Sequence, residues 1–399
     1  MACSLHSREK THPALLITSA EGTPEWVSPL EALKLAVGLC NFTCCQRNHK
    51  FGDKIVPCDR GITRNILRTL ILSKVKYLFD NGNVKMARMV SSLCGWWLRD
   101  ASSPGSSKTT CGNMSELQVS LAWNEEVDGK QAPWLDRHDI SILAYATIRN
   151  NVEVVRQILE RYRGRKSHMF SWRLDSKGFV EFGMSGNLTC LHLGMCFANS
   201  HTVLKLLDAG SIPYVYDVMG NDPVMLASGL GRSENIMTWF ANVSDWDVNR
   251  RNERFGSTAL HLAVYLGPKK LKTVQYLIEK QGANVHIQNK SGSSALILAC
   301  GNEDCDPNVV RYLVEKAGVD VNRQINSKTT MWKLMRATAR FAVNSKMTRS
   351  KFLRRVAESS GLTALHYAAR RGDMEIVELL LEHGAKPSIK NDLGRDVLS

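Results

Sequence analysis

Apolar residues recur in paired blocks along the last two thirds of the chain. The clearest pair begins Thr363-Ala364-Leu365-His366-Tyr367-Ala368-Ala369, passes Gly372, and continues through Ile376, Val377, Leu380 and Leu381. Those last four stand at i, i+1, i+4 and i+5, which is one face of a helix. The same blocks return at Thr258-Ala259-Leu260-His261 with Tyr276-Leu277-Ile278, and at Thr189-Cys190-Leu191-His192 with Val203 and Leu206-Leu207. Fainter copies start at Ile142-Leu143, Asp222-Pro223-Val224 and Ser294-Ala295-Leu296. The anchor residues Leu143, Leu191, Val224, Leu260, Leu296 and Leu365 are spaced by 48, 33, 36, 36 and 69.

This pattern predicts helix pairs in series. A Thr or Ser before Ala-Leu can cap the first helix, because its oxygen accepts an orphan backbone N–H. Gly372 can end that helix in a left-handed conformation. A single pair cannot bury its apolar face alone, so the pairs are expected to stack. The 48 spacing is one unit plus an insertion within Arg161 to Phe182. The 69 is about two units. At its middle lies Thr329-Thr330-Met331-Trp332-Lys333-Leu334, with Met331 35 residues from Leu296 and 34 from Leu365. We read it as a degenerate repeat over 323–358, its second helix running from Arg349 to Ala357.

The blocks resemble the ankyrin repeat family. The resemblance rests on Thr-x-Leu-His at Thr189, Thr258 and Thr363, on Gly231, Gly267 and Gly372, and on the Leu-rich second helices. It covers residues 136–399 and implies an all-α helical solenoid of about seven repeats with hairpin loops. The glycine position is Asn150 in the first copy and Ala198 in the second, and small insertions fall near Pro268 and Asn302–Pro307. The resemblance also implies that His192, His261 and His366 bond to the neighbouring loop. A last anchor falls at Leu398, so a further repeat is expected to be cut off there, leaving the Leu379–Leu381 helix without its downstream neighbour.

Residues 1–100 read as a helical N-terminal region that faintly echoes degenerate repeats. Helices are expected over Ser28–Cys40, Ile62–Phe79 and Val84–Trp97. Residues 101–135 read as a loop or linker, rich in Ser, Gly and Thr at its start. Trp96, Trp97, Trp123 and Trp134 are expected to pack on the first repeats.

Composition narrows the function. With 44% hydrophobic and 23% charged residues among 399, wholesale disorder, collagen and mucin classes are excluded. No apolar run approaches the ~18 residues of a membrane span, and the first residues lack the apolar core of a secretion signal. The 11 Cys fit reduced thiols in a cytosolic or nuclear compartment. Net charge is +14, which favours acidic partners. Ten basic residues against the single acid Glu358 lie between Arg323 and Glu358, a local +9.

Catalytic signatures are lacking. Cys190 and His192 stand at i and i+2, so they do not face each other on a helix. Gly105-Ser106-Ser107-Lys108-Thr109 lacks the glycine spacing of a phosphate loop. The only metal-like grouping is Cys44, Cys45, His49 and Cys58, whose spacing matches no familiar zinc module. We expect no cofactor and no enzyme.

The resulting expectation is a non-catalytic scaffold or adaptor binding a protein partner, acidic by the charge balance. The concave-face positions implied by the resemblance are Arg149, Phe197, Leu230, Arg254, Phe255, Tyr265, Leu266, Lys290, Arg370 and Arg371, joined by Met219, Asn221, Ser257, Ser291 and Ser293. The alternatives are nonspecific binding of nucleic acid or an anionic membrane through 323–358, or the regulatory part of an enzyme or ubiquitin-ligase assembly.

Overall fold

The computed structural model describes strand segments 14–16, 25–27, 50–51 and 54–55. It then describes residues 59–82, parts of 84–91, and 141–174, 186–266, 270–302, 305–327, 329–345, 347 and 351–397. The chain forms two compact units, Met1–Val218 and Met219–Ser399.

In the first unit, β1 (Ala14–Leu16) pairs antiparallel with β2 (Glu25–Val27), and β3 (Lys50–Phe51) with β4 (Lys54–Ile55). These short hairpins correct the wholly helical reading of the N-terminal region. The expected helix over 62–79 is present as α1, Asp59–Asp80, and residues 84, 87, 88, 90 and 91 are helical in turn. The helix expected over 28–40, the linker 101–135 and all four tryptophans lie outside the described residues.

Two helix pairs follow. The first is α2 (Ile142–Ile148) with α3 (Val152–Arg161). A single 3-10 turn at Arg163–Arg165 and α4 (Lys166–Ser171) come next. The second pair is α5 (Cys190–Phe197) with α6 (Ser200–Asp208). Helix α2 packs on α5, and α3 on α6. The insertion between the pairs is pinched shut by an antiparallel bridge, Leu174 N–H donating to Leu188 O at 2.8 Å and Asn187 N–H to Leu174 O at 3.0 Å. Asn150 replaces glycine in the first turn at φ +55°. Its side-chain oxygen accepts from Asn199 N–H and Thr202 Oγ1 at 2.8 and 2.9 Å, which ties the pairs together.

The second unit continues with α7 (Pro223–Gly229) and α8 (Ser233–Asn242), then α9 (Ala259–Tyr265) and α10 (Leu271–Gln275), the latter prolonged by a π turn at Tyr276–Lys280. Next come α11 (Ala295–Gly301) with α12 (Pro307–Glu315), α13 (Thr330–Asn344) with α14 (Lys351–Glu358), and α15 (Ala364–Arg371) with α16 (Met374–Glu382). The first helices stack in the order α7, α9, α11, α15. Leu260, Leu296 and Leu365 are each about 1% exposed in that stack. Burying such a side chain contributes about 1.5–3 kcal/mol.

The threonine caps form as expected, with one addition. Thr189, Thr258 and Thr363 each accept the N–H of the histidine three residues on, and that histidine's Nδ1 accepts the threonine N–H in return. Histidine thus plays the part that Glu or Gln plays in an ordinary capping box. Gly372 ends α15 at φ +69°, left-handed as the sequence requires. Gly229 is closely packed: a Cβ there would sit 2.8 Å from Leu266 Cδ1, the movable end of a side chain of the next pair.

One expectation is overturned. Helices α13 and α14 do not occupy a tier of the stack. α11 packs directly on α15, and α12 directly on α16. Ile325 N–H donates to Leu362 O and Gly361 N–H to Ile325 O, both at 2.9 Å, closing the chain at the base of the intervening segment. Residues 326–360 are therefore an inserted helical hairpin. Met331, in register with the anchors, is 78% exposed. The hairpin has its own small core of Ala339, Val356 and Ala357, with Met335, Val343 and Leu353 against it. Its length explains the misreading: the 69 spacing exceeds the 36 before it by 33, a repeat length seen elsewhere in this chain.

Candidate functional site: bonded loop tips of the second unit

Three of the turns are built by asparagine. Asn252 Oδ1 accepts from Phe255 N–H and Ser257 N–H, Asn289 Oδ1 from Ser293 N–H, and Asn391 Oδ1 from Leu393 N–H and Arg395 N–H. Such side chains mimic a backbone turn and set the loop without a partner strand. The signal was present as Asn three or four residues before Gly256, Gly292 and Gly394, and the sequence reading missed it.

Successive turns are bonded to one another. Arg254 N–H donates to Met219 O at 3.3 Å, Asn252 Nδ2 to Asn221 Oδ1 at 2.7 Å, and Lys290 N–H to Phe255 O at 2.8 Å. Beyond the insert, Gln324 Nε2 donates to Gly361 O at 2.7 Å and to Lys390 O at 2.9 Å. At the opposite ends of the loops, Asn249 bonds to Gly282 O and Asn284 N–H; Asn322 makes the same two bonds to Gly384 and Lys386. Asn322 thus reaches over the insert, as it would reach an adjacent repeat. The loops form a row whose spacing is fixed before any partner arrives, which lowers the ordering cost of binding.

One histidine braces this row from beneath. His261 Nε2 meets Ile287 O at 3.1 Å, the bond to the neighbouring loop that was expected. Burial pushes its pKa down to about 4. His366 is likewise held below 6.5, chiefly by burial, and its Nε2 is buried without a partner of ordinary hydrogen-bond geometry.

The proposed contact residues separate on this frame. Arg254 and Phe255 are exposed at one loop tip, with Lys290 Nζ donating to Glu253 O beside them. Phe255 also lies 6.4 Å from the ring of Trp332 on α13. Tyr265 is exposed at the far end of α9, while Leu230 and Leu266 are half-buried. Arg370 is exposed and paired with Glu358 at 2.8 Å.

Several assignments change. Phe197 is buried in the first unit's core, because it faces inward on the last turn of α5. Arg371 is structural: it donates to Cys300 O, Asn302 O and the Asp373 carboxylate, holding the loop after α11. Ser257 and Ser293 are buried as well. Arg149, in the first unit, lies over the Tyr145 ring at 5.1 Å and is half-buried. Neither Leu379 nor Leu380 is left open; Leu381 and Met374 are the exposed apolar residues of α16.

No chemistry gathers around Cys190. Its thiol is buried 3.9 Å from Ser141 Oγ and pushed up to about 12 by that burial. His192 turns its Nδ1 to Thr189 instead. Among the described residues no cluster of metal-ligating side chains occurs. Cys44, Cys45, His49, Cys58 and the 105–109 segment lie outside them. No described helix is long and apolar enough to cross a membrane.

The family model for three ankyrin repeats matches residues 224–325, and that for a single ankyrin repeat matches 360–392. Residues 224–325 and 360–392 are ankyrin repeats. The unmatched gap between the two ankyrin segments, 326–359, coincides with the inserted hairpin. An ankyrin repeat protein of Acanthamoeba polyphaga mimivirus is 48% identical over 44 residues, 11% of each chain. An NAD-dependent deacetylase, sir2B of Dictyostelium discoideum, is 25% identical over 196 residues, covering 42% of this chain and 23% of that protein. The chain thus spans well under two thirds of both relatives. Among solved structures, the ankyrin repeat domain of Bcl-3 is 26% identical, covering 64% of this chain and 91% of that one, with a TM-score of 0.44. That of human ASB11 is 16% identical, covering 65% and 90%, also at 0.44. Ankyrin repeats are protein–protein interaction modules, and that is the coarse function of this chain.

Proposed function

We propose that the protein is a non-catalytic adaptor that grips a protein partner along the bonded loop tips of its second unit. Arg254 and Phe255 supply the central contacts, with Lys290 beside them and Tyr265 on the exposed side of α9. The observation that carries this reading is the row of cross-bonded turns, which holds an exposed Arg and Phe in fixed positions. Arg and aromatic side chains dominate interface energetics when presented rigidly.

Nonspecific anion binding through the 323–358 run receives less support. Of its described side chains, Arg323 bonds to Gln288, Arg336 is buried against Ser291 O and Ser359, and Arg340 donates to Ala357 O. Those guanidiniums hold the fold together rather than standing free for phosphates.

The test is affinity capture of the tagged chain from native extract, nuclease-treated, at physiological salt. A stoichiometric protein retained by the wild type and lost by Arg254→Glu with Phe255→Ala is expected. Retention of nothing once nucleic acid is digested would overturn the reading.

A further inference from the structure

The inserted hairpin carries a feature that the repeats lack. On α13, Met331, Leu334, Thr338, Phe341 and Ser345 fall at alternating spacings of 3, 4, 3 and 4 along one face. All five are exposed. Leu334 is 64% exposed, Phe341 67%, and Met347 just beyond the helix 72%. The opposite face, with Arg336, Ala339 and Val343, is the one that meets α14 and the loop at Ser291. The large apolar side chains are therefore not turned outward by a lost internal neighbour. The described core of the hairpin forms without them.

Width and charge identify what fits. An apolar stripe confined to a 3-4 repeat is the narrow seam that one helix offers another; a face that buries into a surface is broader. The sequence of the insert is charged almost wholly in one sign. Between 326 and 360 there are nine basic residues and one acid, Glu358, and that acid is paired with Arg370 of α15. Lys333 is exposed beside the seam. A second copy of the same seam would be repelled, since like charges placed face to face disfavour association.

We propose that the α13 seam is a docking site for an acidic amphipathic helix of a partner protein, which lays its apolar stripe along Met331, Leu334 and Phe341. Trp332 at the start of α13 meets Phe255 of the loop tips, but Leu334 and Phe341 lie further along the helix, so either site can fail without the other.

The experiment uses the full chain and a fluorescent synthetic peptide of about three heptads, with Leu at the 3-4 positions and Glu and Ala elsewhere. Two control peptides replace Glu by Lys or scramble the Leu positions. Polyuridine RNA and vesicles containing one quarter phosphatidylserine form two further arms. The acidic peptide is expected to bind at least about tenfold more tightly than either control, and to weaken as salt rises. Leu334→Asp with Phe341→Asp is expected to abolish binding with no change in the thermal midpoint, because both side chains are already in water. Met331→Glu alone is expected to weaken it about tenfold, and Arg254→Glu to leave it unchanged. The proposal is overturned if the controls bind equally, if the double variant still binds, or if only RNA or vesicles engage the seam.

Discussion

Helices α9 and α13 begin at the same phase of the repeat pattern and end in opposite situations. Thr258-Ala259-Leu260-His261 places leucine between two neighbouring helices and closes a reciprocal cap through histidine. Thr329-Thr330-Met331-Trp332 offers tryptophan where histidine should be, and Thr329 makes no side-chain cap. Its hydroxyl donates to Lys290 O instead. The methionine in the leucine's register stands in water. α13 then runs for 15 residues where the stacked first helices of this unit run for seven or eight. Histidine is not required of every tier, since Met225 of α7 and Ile297 of α11 stand at its position in stacked helices; what sets α13 apart is that α11 packs past it onto α15.

That contrast is sharpest in the cores. Leu260→Ala should cost about 2–5 kcal/mol, read as a fall in the midpoint of chemical or thermal unfolding. Leu334→Ala, nominally equivalent chemistry in the insert, should cost under about 0.5 kcal/mol. Equal losses from the two would break the distinction.

Acid should act through the histidine of the stack. The neutral form of His261 is favoured in the fold, where its pKa is about 4 against 6.5 in the open chain. The unfolded chain therefore binds the extra proton between those values. The stability held above pH 6.5 is lost progressively as pH falls to about 4, by about 3 kcal/mol in all. Asp222 works the other way, since burial raises its pKa to about 6 and its contribution falls as pH climbs from about 4 to 6. The difference in unfolding free energy between wild type and His261→Gln isolates the histidine. That difference should shrink as the pH is lowered through this window; a constant difference would contradict the burial account. A smaller effect is expected at the cap itself. Thr258→Ala should cost about 1 kcal/mol in the same measurement, by loss of the side-chain half of the box.

Much of the stack was legible in the sequence because its signals are local. The Thr-x-x-His box, the helical spacing of Ile376, Val377 and Leu380, and Gly372 all act within a turn or two of the chain. The closing bonds of the insert are not local: Ile325 and Leu362 meet across 37 positions, and periodicity alone could not distinguish an insert of repeat length from a repeat. The candidate site was partly legible for the same reason. Arg254, Phe255 and Tyr265 were placed on the surface by the repeat phase. Arg371 was not separable from Arg370, because its partners Cys300 O and Asn302 O lie some 70 residues earlier. Phe197 was misplaced because the turn after it departs from the family's glycine: Ala198 is extended there, at φ −86° and ψ 172°.

The most direct test of the central claim removes the hairpin. Residues 326–360 are replaced in the full chain by Lys-Ser, the dipeptide that occupies the corresponding place, Lys290-Ser291, one loop earlier. Amide hydrogen exchange then follows α11, α12, α15 and α16. If the insert lies outside the stack, protection in all four helices stays at the wild-type level. Loss of protection in α15 and α16 would show that the hairpin is a tier of the solenoid after all.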